Sequence, residues 1–217
     1  MVYYNLTILF GTICFANVAV HLIFEWRKWQ TARSVSKLFA STSFVVLAVM
    51  SGAPDSVYGR FILLALVFSM VGDILLLSLR SAFLLGGITA FFFAHVLFAA
   101  ALASQPLEIT WLIVTLTVLA AAGLLFLRWM WKYLKSFYKI AVPVYLAAIT
   151  LMTALAIGAS SASGSPLLAL AAIAFAVSDV SVARDRFIAK DIVNKLWGLP
   201  LYYAAQIMFA ISVLLFG

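Results

Sequence analysis

Two carboxyl groups stand inside apolar runs, Asp73 in Ser-Met-Val-Gly-Asp-Ile-Leu and Asp179 in Phe-Ala-Val-Ser-Asp-Val. A carboxylate at membrane depth costs at least about 2.5 kcal/mol, so two in one small chain need a reason. Burial favours the protonated form of a carboxyl, and a second acidic group nearby drives the two apart into a proton holder and an anion. Such a pair can work as general acid and general base. It can equally be an interhelical hydrogen-bonded lock. His95 and, nearer an end, His21 are among the few other ionisable groups within the apolar runs. His95 could orient one Asp or relay its proton, or be a packed interhelical donor.

The surrounding sequence is that of a membrane protein. Hydrophobic residues make up 66% of the 217 and charged residues 10%, with a mean hydropathy of +1.17. That leaves too little polar surface to cover a water-soluble globule. A bilayer-spanning helix needs about 20 apolar residues. Runs at about 3–24, 37–53, 60–79, 82–104, 109–127, 138–158, 166–183 and 196–216 give about eight such helices. They fill the chain as one transmembrane domain, 1–217. The first run lacks a basic leader and carries Asn17, so it reads as a retained helix. The likeness between the two acidic segments, on helices of the same direction, suggests a four-plus-four helix repeat.

Charge fixes an expected orientation. Of the 14 Lys and Arg, all but Arg60 fall in the connections after runs 1, 3, 5 and 7. Basic loops stay cytoplasmic, so both termini are expected on the non-cytoplasmic side. The same asymmetry explains the net charge of +7 without nucleic acid as partner. The fold expected is an all-α polytopic bundle, integral to a membrane such as the bacterial inner membrane.

At about 1.5 Å rise per residue, Asp73 and Asp179 sit roughly 7–10 Å below the basic boundary. Tyr145, Tyr202, Tyr203, Gln206 and Asn17 fall in nearly the same layer, with His95 deeper. Polar groups from several helices converging on one level are expected to line a pocket between helices, in the cytoplasmic half. Tyr near an interface can also be plain aromatic belt, and a lone Gln an interhelical bond. With a single cysteine and two histidines, no metal site and no cofactor are expected.

The motifs, in order, resemble those of the YhhN family, which includes the lysoplasmalogenases. They are Ser69-Met-Val-Gly-Asp73-Ile-Leu-Leu-Leu77, Phe83 with Gly86-Gly87, and Phe91-Phe-Phe-Ala-His95-Val-Leu-Phe98. Tyr145-x3-Ile149-x2-Met152, Phe175-Ala-Val-Ser178-Asp179-x3-Ala183-x3-Phe187, and Tyr202-Tyr203-Ala-Ala-Gln206 follow, and Lys37 also fits. The resemblance runs from about residue 37 to the C-terminus. Phe98 departs from a common Tyr, and Pro200-Leu201 from a more usual hydroxyl residue.

The resemblance implies hydrolysis of the vinyl-ether bond of lysoplasmalogens to a fatty aldehyde and a glycerophospho-ethanolamine or -choline. Proton delivery to the outer alkene carbon and attack by water need an acid and an anionic partner. These are the roles expected of Asp73 and Asp179, with His95 beside them. Lys37 is the expected phosphate contact, and Tyr145, Tyr202, Tyr203, Gln206 and Asn17 the expected substrate-binding groups. The expected partners are a membrane lysophospholipid and water, with no obligate protein partner. A small proton-coupled transporter using the same Asp and His groups is the alternative from another class. An intramembrane aspartyl protease fits less well, because Met70 stands where its first signature glycine belongs.

Overall fold

The computed structural model describes residues 2–78, 80–135 and 137–217. Eight long helices appear among them. They are α1 (Val2–Arg27), α2 (Gln30–Met50), α3 (Val57–Leu75), α4 (Ser81–Ala103), α5 (Ile109–Met130), α6 (Tyr138–Ser163), α7 (Leu167–Phe187) and α8 (Ile192–Phe216). Each is long and apolar enough to cross a membrane. In hydrocarbon every backbone N–H and C=O must be satisfied within the segment, which is why apolar runs of this length fold as helices.

Their ends follow from short polar signals. Gly52 takes a left-handed φ of 86°, a conformation that favours glycine, and Ser56 then caps α3 by accepting from the Gly59 N–H at 2.9 Å. Asp191 caps α8 through the Val193 N–H at 3.1 Å. Such caps satisfy amides that the first helical turn leaves free.

Antiparallel neighbours α1–α2, α3–α4 and α7–α8 pack most closely, and α8 also touches α1, α2 and α3. The interior is aromatic: Phe98 stacks on Phe209 with ring centroids 4.1 Å apart, and Phe44 and Phe175 are fully buried. Phe98 thus occupies an apolar stack in which a phenol would need a partner. Helix α5 lies outermost and rests on α6. Trp26, Trp29, Trp129 and Trp131 are exposed around the basic end, the position of an interfacial aromatic belt.

Several boundaries differ from those read in the sequence. Helix α2 begins at Gln30, not at 37, after a two-residue turn in which Lys28 adopts a φ of 59°. Arg33 and Lys37 are therefore intrahelical. Helix α3 runs 57–75 rather than 60–79, α6 continues to Ser163, and α7 to Phe187. Hydropathy falls where a cation stands, but α2 and α7 continue through theirs: Lys37 meets Asp73, and Arg33 and Arg186 meet the Leu77 and Leu76 carbonyls inside the bundle.

Candidate active site

The carboxyl of Asp73, in the last turn of α3, is gripped from two other helices. Lys37 and Ser41 are four apart on α2 and so share a face. Lys37 Nζ lies 2.9 Å from Asp73 Oδ1, and Ser41 Oγ donates to Oδ2 at 2.6 Å. From α8 the Tyr202 hydroxyl donates to Oδ2 at 2.9 Å and that of Tyr203 at 3.4 Å. Four donors on one carboxylate repay much of the cost of burying its charge. The residue before it is glycine because the ring of Phe91 lies against the backbone there: a Cβ on Gly72 would stand 2.6 Å from Phe91 Cε2.

Asp179 has a different set of partners. The Tyr145 hydroxyl donates to its Oδ2 at 3.1 Å, and His95 Nε2 lies 3.3 Å from the same oxygen. His95 Nδ1 is 2.6 Å from the Phe91 carbonyl. A carbonyl only accepts, so Nδ1 carries the hydrogen of that bond. Nε2, though 3.3 Å from the carboxyl, is buried and completes no hydrogen bond among the described residues. The imidazole packs against Phe175 at 4.5 Å, which fixes its orientation. Ser178, preceding Asp179, turns its hydroxyl back to the Phe175 carbonyl at 2.7 Å.

Both carboxyls border one cavity of about 390 Å³, together with Lys37, His21, Tyr145 and Tyr202. Its deeper walls are apolar, among them Ile88, Phe91, Leu119, Phe126, Leu146 and Ile149. The mouth, where α1, α3 and α7 end and α2 and α8 begin, is charged. No hydrogen bond or ion pair joins Asp73 to Asp179 among the described residues, so the two face one space without touching.

Asp73, Asp179, Tyr145 and Tyr202 thus come together at the cavity, as expected of residues in one layer, and Lys37 joins them there. Tyr203 grips Asp73 from the far side, and His95 stands behind Asp179, off the cavity wall. Gln206 is fully buried beyond the cavity. Asn17 does not join: its amide donates to the Ile13 carbonyl of its own helix at 2.8 Å. Depth alone did not say which side of α1 it occupies. Lys37 is committed to Asp73 rather than standing free at the rim. Ser41 was not among the expected site residues, although its spacing from Lys37 marks it. His21, whose Nδ1 is 3.0 Å from the Arg33 carbonyl, was likewise passed over.

Eight apolar helices around a cavity bordered by two separately partnered carboxyls define a multi-pass membrane protein with a buried polar centre. The YhhN family model matches residues 32–213, and the chain belongs to that family. Helix α1 lies outside the match. The chain is 28% identical over 162 residues to the lysoplasmalogenase TMEM86A of Bos taurus, and 27% identical over 157 residues to that of Homo sapiens. Each alignment covers 70% of this chain and 64% of the relative, so the chain spans less than two-thirds of those curated relatives. No solved structure matches it.

Proposed function

We propose that the protein is a membrane-embedded hydrolase that cleaves the vinyl-ether bond of lysoplasmalogens, with the two aspartates in different roles. The observation that carries the reading is the pair of separately partnered carboxyls, Asp73 and Asp179, bordering one cavity that is apolar within and charged at its mouth. The family and the names of the two relatives point the same way.

In this reading Asp179 delivers the proton to the outer alkene carbon, and His95 replenishes it from behind. The resulting oxocarbenium ion is steadied by the Asp73 carboxylate. Water adds to the carbon bearing the ether oxygen, losing a proton to Asp73. The hemiacetal then collapses, its hydroxyl proton leaving and the glycerol oxygen gaining one. One water is consumed, and a fatty aldehyde and a glycerophospho-ethanolamine or -choline are released. The basic end faces the cytoplasm, in keeping with the retention of Lys- and Arg-rich loops there, and a bacterial inner membrane is the expected location.

The test is aldehyde release from lysoplasmalogen by purified protein in deuterated water. The aldehyde should carry one deuterium on the carbon next to the carbonyl, because protonation occurs there. Asp179→Asn and Asp73→Asn should each lower the rate about 10²–10⁴-fold while the protein remains folded. Substrate crossing a liposome membrane intact, with no aldehyde formed, would replace the enzyme by a transporter.

A further inference from the structure

The mouth of the cavity carries more positive charge than its own acids balance. Arg33, Arg186, Lys190 and Lys195 line it, against the carboxylates of Glu25 and Asp185. Lys37 is not part of this surplus, being paired with Asp73. Glu25 takes both Lys195 and Arg33, the latter at 3.0 Å. Lys190 is exposed, and no hydrogen bond or ion pair engages it among the described residues.

The two guanidinium groups are held in place by backbone. Arg33 Nη2 donates to the Leu77 carbonyl at 3.2 Å and Arg186 Nη2 to the Leu76 carbonyl at 2.7 Å. Successive carbonyls at the end of α3 thus set two like charges side by side. Arg33 Nε is buried with no hydrogen-bond partner, a donor whose unmet bond is costly. Paired guanidinium groups suit an anion with several oxygens, phosphate above all.

Register ties this cluster to the carboxyls below. Arg33 precedes Lys37 by four residues on α2, one turn of about 5.4 Å. Arg186 follows Asp179 by seven on α7, two turns along the same face. An anion at the mouth would therefore sit about one to two turns above the acid pair, a span suited to the three-carbon glycerol unit between an ether oxygen and a phosphate.

We propose that Arg33, Arg186 and Lys190 form a phosphate subsite at the cavity mouth that takes the phosphodiester of a single-chain glycerophospholipid. The lipid as occupant rests on the hydrolase reading above. The assignment moves headgroup recognition from Lys37, which the sequence suggested, to three residues one turn or more higher.

The experiment measures binding to the full chain in detergent micelles by isothermal calorimetry. The probes are a saturated 1-O-alkyl lysophosphoethanolamine, the matching 1-O-alkylglycerol without phosphate, and inorganic phosphate. The alkyl lysolipid should bind, and Lys190→Gln with Arg186→Gln should weaken it about 10–100-fold. Binding of the alkylglycerol should stay unchanged. Arg186→Lys should recover part of the loss, and Lys190→Gln alone, at an exposed position, should weaken binding without lowering the melting temperature. Equal affinity of wild type for the two lipids, or variants that bind the lysolipid undiminished, would overturn the subsite. Inorganic phosphate displacing the lysolipid at similar concentration would make the occupant a free anion. The alkyl probes have no vinyl group, so this result stands or falls separately from aldehyde release.

Discussion

Lys37 Nζ and Asp73 Oδ1 form an ion pair 2.9 Å long, with the two side chains only 10% and 4% exposed. Removing one member of such a pair leaves an uncompensated charge in a low dielectric and costs about 3–5 kcal/mol. Lys37→Met should therefore lower the thermal unfolding temperature of the detergent-solubilised protein sharply. The double variant Lys37→Met with Asp73→Leu should regain part of that loss, because no charge is left unpaired although the Ser41, Tyr202 and Tyr203 hydroxyls lose their acceptor, yet stay inactive. A single variant that melts like wild type would show that the pair contributes nothing to holding α2 on α3.

His95 does not reach the cavity, so its part in catalysis must pass through Asp179. His95→Gln should reduce aldehyde release about 10–100-fold, the worth of one charge-assisted hydrogen bond. The pH–rate profile should also move, since an ionisable imidazole beside the Asp179 carboxyl is replaced by a neutral amide. A lower rate on an unmoved profile would assign His95 to packing alone.

Gly72 tests the contact that seats Asp73. Its missing Cβ would stand 2.6 Å from Phe91 Cε2, and overpacking of this kind typically costs about 1–3 kcal/mol. Gly72→Ala should lose that stability, and Phe91→Leu in the same chain should restore part of it by withdrawing the ring. Unfolding curves of the two variants decide the matter. An unaffected Gly72→Ala protein would mean that α3 and α4 shift apart freely.

The eight helices were legible in the sequence because hydrocarbon admits so few backbone arrangements. The layer shared by Asp73, Asp179, Tyr145 and Tyr202 was legible too, since rise along a helix converts residue number into depth. Facing was harder. Asn17 lies at the same depth, yet its side chain bonds its own helix, and nothing in a run of apolar neighbours distinguishes one side of α1 from another. The start of α2 was misread for a related reason: a charge within a hydrophobic run looks like its end, whereas Arg33 and Lys37 line the cavity at its charged end. The division of partners between the carboxyls belongs to tertiary packing, because Tyr145, His95 and Tyr202 come from three different helices.

That division yields the sharpest comparison. Asp73 accepts from four donors, so Tyr202→Phe leaves Lys37, Ser41 and Tyr203 in place. Losing one neutral hydrogen bond among several costs about 1 kcal/mol, a few-fold at most in aldehyde release. Among the described residues only Tyr145 and His95 meet the Asp179 carboxyl, and Tyr145 donates to the carboxyl that delivers the proton in the proposed mechanism. Tyr145→Phe should consequently lower kcat by about tenfold or more, with little change in KM, because the lost donor acts on the proton in flight rather than on bound lipid. Each change removes one hydroxyl from an otherwise unaltered ring, so neither variant opens a cavity. Equal losses in the two variants, or a larger one for Tyr202→Phe, would reverse the roles assigned to the aspartates. Asp73 would then be the proton donor.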